Sequence, residues 1–234
     1  MKNHLILFFH FAGGNRYSLK AFETLVDADC FFVELPGRGK RMTEDLLTDI
    51  DTAVPDIIKQ IEPLIAVYPS FSLFGHSMGA LLNYLVIQHL VAANKKLPTH
   101  LFVSGKGAPS VKRNNILRYN LPSTAFWQEI SKYNGTSKEV LKNEELVALF
   151  EPILRADFQI IEEYTHTPKP KLPFPIVGFF GTDDDITNQE ADAWQEETTV
   201  NFERHWFPGG HFFILEYFRE IGDVMNRLIT ERGG

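Results

Sequence analysis

The chain has 234 residues, 44% of them hydrophobic and 23% charged, which suits a single α/β domain and shows no sign of disorder or a fibrous repeat. A formal charge of −7 argues against a nucleic-acid binder, which carries a basic stripe or patch. One cysteine, Cys30, excludes an internal disulfide framework and reads as a buried strand thiol in a reducing compartment.

In chain order, Met1 to His10 holds an apolar run too short for a signal peptide. No other stretch approaches the roughly 20 residues of a membrane span, so a cytoplasmic protein with no membrane contact is expected. Leu5 to Phe9 is a continuous apolar run ended by Ala12-Gly13-Gly14, as in a strand buried on both faces. Cys30 to Leu35 is a second strand, stopped by Pro36-Gly37-Arg38-Gly39. A helix follows, with Val54, Ile57, Ile58, Ile61, Leu64 and Ile65 on one face; Pro55 suits its first turn and Pro63 is expected to kink or end it. Further strands are Phe71 to Phe74, Leu101 to Val103, Ile176 to Phe180 and Asn201 to Phe207, with helices at Leu81 to Ala93 and Phe213 to Ile229. The alternation implies a mainly parallel sheet with helices on both faces. There is no internal repeat.

Residues 109–171 break the rhythm. They hold no convincing strand, and apolar residues recur at helical spacing, as in Leu146, Leu149, Phe150 and Ile153. A helical block inserted between two strands reads as a lid over the edge where ligands bind; the alternative is a plain helical layer that only stabilises the sheet. Phe126, Trp127, Tyr133, Phe150 and Phe158 are its aromatics, set between lining a pocket and filling a core.

Phe71-Ser72-Leu73-Phe74 leads into Gly75-His76-Ser77-Met78-Gly79 and then a helix. This is a G-x-S-x-G elbow in the setting strand, sharp turn, helix, which marks the nucleophile of an α/β-hydrolase fold. The pattern alone arises by chance in about one chain in ten of this length, so its weight comes from that setting. Side chains at positions 75 and 79 would collide with neighbouring elements. The strained turn lifts the Ser77 hydroxyl clear and aims the first helix amides at a developing oxyanion.

Among the eight histidines, His4, His89, His100, His166 and His205 sit in polar or surface-like sequence, and His76 is expected to point away from the Ser77 hydroxyl. His211 follows a strand and the Pro208-Gly209-Gly210 turn, which puts it on the rim that carries Ser77, so it is the candidate base. The acid belongs on the loop after the fifth strand, Gly181-Thr182-Asp183-Asp184-Asp185. Asp184 is preferred and Asp183 is the alternative; the remaining carboxylates are expected in solvent or capping a helix near Gln189. Serine at the elbow disfavours dehalogenase or epoxide hydrolase chemistry, which needs an aspartate there.

Ala12-Gly13-Gly14, Pro36-Gly37-Arg38-Gly39-Lys40-Arg41, Phe74 to Ala80 and Phe207 to Phe213 together resemble the type II thioesterases, the free-standing editing enzymes of polyketide and nonribosomal peptide assembly lines. The resemblance runs from about Leu5 to Leu228. It implies Asp184 as the acid, with Trp194 at the family's spacing. It also implies the amides of Met78 and Ala12 as oxyanion donors, and a lid over residues 109–171. The implied substrate is an acyl group on the phosphopantetheine arm of an acyl or peptidyl carrier protein, bound transiently. A monomer is the default expectation, and the sequence shows no metal site or cofactor motif. The family usually has proline where this chain has His10, read as a tolerated loop substitution. Lys106, Lys112, Arg113 and Arg118 are candidates for a basic patch facing an acidic carrier. The rival readings are a small-molecule carboxylesterase or lipase with the same triad, and a non-catalytic binding protein of this fold.

Overall fold

The computed structural model describes residues 2–111, 116–133, 135 and 141–231. A sheet is built from β1 (His4–Phe9), β2 (Asp29–Phe32), β3 (Ser70–His76), β4 (Leu101–Ser104), β5 (Ile176–Gly181) and β6 (Phe202–Phe207). Their spatial order is β2-β1-β3-β4-β5-β6, and every adjacent pair is parallel. The period-2 geometry of a strand sorts side chains onto two faces. Leu5, Leu7, Phe71, Leu73, Leu101, Val103 and Ile176 join one core. Ile6, Phe8, Phe74, Phe102, Val177 and Phe179 join the other. This double burial explains why the strands read as apolar runs without alternation.

The first core is closed by α1 (Ile50–Val67) and α2 (Met78–Ala92), through Ala53, Val54, Ile57, Ile61 and Ile65 on α1 and Met78, Leu82 and Val86 on α2. The second is closed by the turn around Phe22 and by α6 (Phe218–Glu231), through Ile221 and Met225. Phe22 stacks on Phe8 at 5.2 Å and meets Phe218 edge-on at 4.9 Å, the offset and T-shaped geometries that aromatic rings favour.

Several boundaries differ from the sequence expectation. Helix α1 continues through Pro63 to Val67; Pro63 and Lys59 are both exposed, so the ring and the carbonyl it leaves unbonded sit on the solvent face while the apolar face packs on. Strand β2 ends at Phe32, although the Val33 amide still donates to Phe8 O at 2.9 Å. The stretch expected as one helix from Phe213 starts as a short 3₁₀ turn, Phe213–Leu215, with Phe213 and Ile214 buried on the sheet. His4 and His100 are buried, against the surface reading. His4 sits between the hydroxyls of Ser70 (2.7 Å) and Ser72 (2.9 Å), partners supplied by the neighbouring strand. Cys30, on the edge strand, is only half-buried, and desolvation pushes its thiol up to about 12.

Between β4 and β5 the described residues form a 3₁₀ turn (Arg118–Asn120), α3 (Ser123–Ser131) and α4 (Glu144–Glu162), with no strand. Phe126, Trp127, Ile130 and Leu154 make a small core of their own. Helix α5 (Asn188–Asp192) follows β5. No helix among the described residues is long and apolar enough to cross a membrane.

Burial lowers the pKa of His4 and of His10 to about 4, and holds His76 well below the ordinary imidazole value. The folded protein keeps these rings neutral where the unfolded chain protonates them. Their contribution to stability is therefore complete above about pH 6.5 and is lost as pH falls from there towards 4. The urea midpoint is expected to be lower at pH 5 than at pH 7. His4→Gln should remove roughly 1–2 kcal/mol of that difference. Equal midpoints at the two pH values would show that these rings are not held neutral.

Candidate active site

The carboxyl ends of β1, β3, β4, β5 and β6 converge on one rim, and the site is assembled from the residues that follow each. Ser77 follows β3 with φ 54° and ψ −113°, a left-handed conformation that a non-glycine residue adopts only when its surroundings enforce it. The enforcement is steric. A Cβ at position 75 would lie 2.3 Å from the Gly79 carbonyl, and one at position 79 would lie 2.2 Å from Phe9 O. The Ser77 amide donates to Ser104 O at the end of β4 (2.8 Å), which ties the elbow to the next strand. The expected collisions at the elbow glycines are present.

The strands β5 and β6 bring the other two groups. The loop after β5 and the turn after β6 lie against each other across Gly181, where a Cβ would be 2.5 Å from both Gly209 O and Gly210 O. The Asp183 amide donates to Gly209 O (2.9 Å), which leaves the next side chain, Asp184, pointing inward. Asp184 Oδ2 is 2.9 Å from His211 Nδ1, and His211 Nε2 is 3.0 Å from Ser77 Oγ. The Asp184 side chain is 3% exposed, while Asp183 is exposed and, among the described residues, its carboxylate accepts from the Thr182 hydroxyl. That contrast places Asp184 against the His211 ring and Asp183 in solvent. Neither Asp183 nor Asp185 caps the following helix; Thr187 does, in a capping box with Glu190.

A carboxylate is an acceptor only, so His211 Nδ1 carries a proton and Nε2 is left to accept from the Ser77 hydroxyl. His76 turns away from Ser77, with Nδ1 2.9 Å from Ser104 Oγ and its ring centroid 5.1 Å from that of His211. Burial and the neighbouring His211 keep His76 neutral, so no second cation competes with an imidazolium at His211. The amides of Met78 and Ala12 donate to no acceptor among the described residues and remain available to a ligand.

Above this row lies a cavity of about 1080 Å³. Phe11, Ala12, Ser77 and His211 line its floor, and Trp127, Tyr133, Phe150, Leu154, Phe158 and Ile161 its walls and roof. Of the five aromatics in the inserted segment, Phe126 alone does not line the cavity; its ring carries the Arg155 guanidinium at 4.3 Å. Tyr133 reaches His211, with ring centroids 5.1 Å apart. Trp194 is fully buried, and its Nε1 donates to Lys106 O (2.8 Å), which holds the loop after β4. Arg118 is paired with buried Glu162 at 2.9 Å and belongs to the cavity wall, not to a free basic patch. Lys112 and Arg113 lie outside the described residues. No group of three or more His, Cys, Asp or Glu that could hold a metal occurs among the described residues.

The sequence reading missed Ser104, whose carbonyl holds the elbow, and the buried pair Arg38–Asp157 beneath the loop at Ala12. The available signal for the second was a charge among apolar neighbours, since Asp157 stands between Ile153, Leu154 and Ile160 on a helix face.

A strained serine elbow on a parallel sheet, with histidine and aspartate in series on the same rim, defines a serine hydrolase of the α/β-hydrolase fold. The model of the thioesterase domain family matches residues 4–229, and the chain belongs to that family. The gramicidin S biosynthesis protein GrsT of Aneurinibacillus migulanus is 35% identical over 82% of this chain and 75% of its own length. ClbQ, from the colibactin NRPS/PKS pathway, superposes with a TM-score of 0.91 at 27% identity, covering 98% of both chains. The type II thioesterase BorB from the borrelidin biosynthetic cluster does so with a TM-score of 0.85 at 32% identity, covering 96% of this chain and 92% of that one.

The geometry separates the two aspartates experimentally. Asp184→Asn removes the carboxylate charge beside His211 and should lower kcat by roughly 10²- to 10⁴-fold. Asp183→Asn should leave kcat within about threefold, since its side chain lies in solvent. Steady-state kinetics on an acyl thioester checks both, and the reverse ranking would move the acid to Asp183.

Proposed function

We propose that this chain edits assembly lines: it hydrolyses acyl groups from the phosphopantetheine arm of an acyl or peptidyl carrier protein in polyketide or nonribosomal peptide synthesis, releasing stalled or wrongly loaded chains. The observation that carries the chemistry is the unbroken series Asp184–His211–Ser77 at hydrogen-bond distance beneath a large, partly aromatic cavity. The substrate class is supported by the similarity to GrsT, ClbQ and BorB.

In this reading Ser77 Oγ attacks the thioester carbonyl while His211 Nε2 takes its proton. The amides of Met78 and Ala12 hold the oxyanion. As the carbon–sulfur bond breaks, His211 returns the proton to the departing thiol, leaving an acyl ester on Ser77. Water, deprotonated by His211, attacks that ester; Ser77 leaves with the proton, and the free acid departs. Asp184 keeps the histidine in the Nδ1–H tautomer and stabilises its cationic form. All proton transfers run through side chains of this chain, and no cofactor enters.

The whole chain acts as one domain, with residues 109–171 as a lid that shapes the acyl chamber and admits the arm. It works as a monomer in the cytoplasm, a placement supported by its single unpaired thiol at Cys30.

The test is intact-protein mass spectrometry of an acylated carrier protein incubated with wild type and with Ser77→Ala, alongside an equal concentration of a nitrophenyl ester. Loss of the acyl mass should be rapid, Ser77-dependent and faster than ester cleavage. Fast ester cleavage with an untouched carrier would leave the serine chemistry in place and make this a small-molecule esterase.

A further inference from the structure

Charged groups that the hydrolytic cycle leaves unused gather behind the loop of residues 11–14. Arg38, in the Pro36-Gly37-Arg38-Gly39 turn, and Asp157, midway along α4, are 3% and 0% exposed. Arg38 Nη1 and Nη2 donate to the two carboxylate oxygens of Asp157 at 2.6 and 2.7 Å. The same carboxylate accepts the Gly13 amide at 2.7 Å, and Arg38 Nη1 also donates to Gly14 O at 3.3 Å. Two consecutive residues of the loop are thus gripped, one by its N–H and the next by its C=O. Leu154, one turn earlier on α4, fills the space above Gly13: a Cβ there would lie 2.6 Å from Leu154 Cδ2, and Gly13 has φ +75°.

A third grip falls on the peptide before. Phe11 O accepts from the Gly14 amide and from His10 Nδ1, each at 2.9 Å. Since a carbonyl only accepts, Nδ1 carries the proton of the neutral ring, and Nε2 is buried without a partner among the described residues. Burial and the nearby Arg38 keep that ring neutral.

We propose that Asp157, Arg38 and His10 are positioning residues that set the oxyanion hole, so that the helix roofing the acyl chamber also orients the Ala12 amide below it. This rests on the reading of Ala12 as an oxyanion donor. The link is the planarity of the peptide unit. No cis bond occurs among the described residues, so the Ala12 N–H points opposite to the Phe11 carbonyl. With that carbonyl held by His10 and Gly14, the N–H faces the chamber that Ala12 lines with Ser77. A buried ion pair is poor evidence of stabilisation, because packed apolar side chains often serve as well or better. Apolar side chains cannot accept from Gly13 or donate to Gly14 O, and these are the contacts that fix the loop.

The experiment compares Asp157→Leu, Asp157→Asn, Arg38→Met and His10→Leu with wild type. For each, thermal melting, kcat and KM on an acyl-pantetheine thioester are measured. Two ligands are titrated: an alkyl boronic acid, whose tetrahedral adduct on Ser77 places an oxygen in the hole, and the amide isostere of the substrate, which stays planar. Asp157→Leu, Arg38→Met and His10→Leu should lower kcat by roughly 10- to 100-fold, a fraction of the loss on removing a whole oxyanion donor. Boronate affinity should fall by the same factor, with KM and amide affinity within about threefold. Asp157→Asn, which still accepts from Gly13, should fall between. Folded variants that keep wild-type kcat and boronate affinity would overturn the proposal. So would a uniform loss for boronate and amide alike, which would mark a structural role only. Replacing Ala12 by lactate, which exchanges its N–H for an ester oxygen, separates the two levels. If lactate at 12 leaves kcat unchanged, the oxyanion reading itself fails. If lactate lowers kcat and the other variants do not, only the positioning idea fails.

Discussion

Because every strand of the sheet runs in the same direction, each connection to the site leaves from a single edge, and this constraint governs the rest of the molecule. Phe9, His76, Ser104, Gly181 and Phe207 all close strands on that rim. The next few residues after each supply the Ala12 loop, Ser77, the loop that Trp194 holds through Lys106 O, Asp184 and His211. Parallel pairing requires long crossovers, and here these are the helices that cover both faces. The strands are consequently dry on both sides. Ser77 is held in its strained conformation by a framework with little freedom to relax, with β1 and β4 packed on either side of it.

The same dryness sets the electrostatics. The imidazoles of His4, His10 and His76 are buried and kept neutral, each meeting a hydroxyl or carbonyl through at least one ring nitrogen. Arg38 and Asp157 enter the interior as a bidentate pair, while buried Glu34 and Glu197 are met by backbone amides and by the Tyr84 hydroxyl. Around His211 this leaves Asp184 as the carboxylate in contact with its ring, so a positive charge on the imidazole is met from one defined side.

The parts of the site legible in the sequence were those built from local patterns at strand ends: the elbow glycines around Ser77, the Gly209-Gly210-His211 turn and the loop bearing Asp184. Each is announced by residues within a few positions of itself. The parts that were not legible depend on distant partners. Arg38 and Asp157 are 119 residues apart, and nothing near either names the other. His4 looked like a surface residue because the hydroxyls that satisfy it come from β3, 66 and 68 residues further on. That Asp184 and not Asp183 meets His211 depends on the packing of two loops across Gly181. Helix α1 does not end at Pro63 for the converse reason: a rule about helix interiors does not see that the ring lies on the water side of α1. Among the five aromatics of the inserted segment, spacing alone did not show that Phe126 faces core while Trp127, Tyr133, Phe150 and Phe158 face the cavity.

Helix α4 carries two jobs on adjacent stripes. Phe150, Leu154, Phe158 and Ile161 recur at spacings of three and four and face the chamber, while Ile153, Asp157 and Ile160 form the next stripe and turn towards the body of the protein. A helix so divided can drift in sequence along one stripe and not along the other. Remodelling positions 150 and 158 alters the shape and size offered to an acyl chain without touching the contacts at Gly13. The fold thus places Phe150 and Phe158, which shape the chamber, on the same element as Asp157, which accepts the Gly13 amide, and within about two turns of it. A lineage of such enzymes could shift between acyl chains of different bulk by exchanging a few aromatic side chains, with the catalytic floor left as it is.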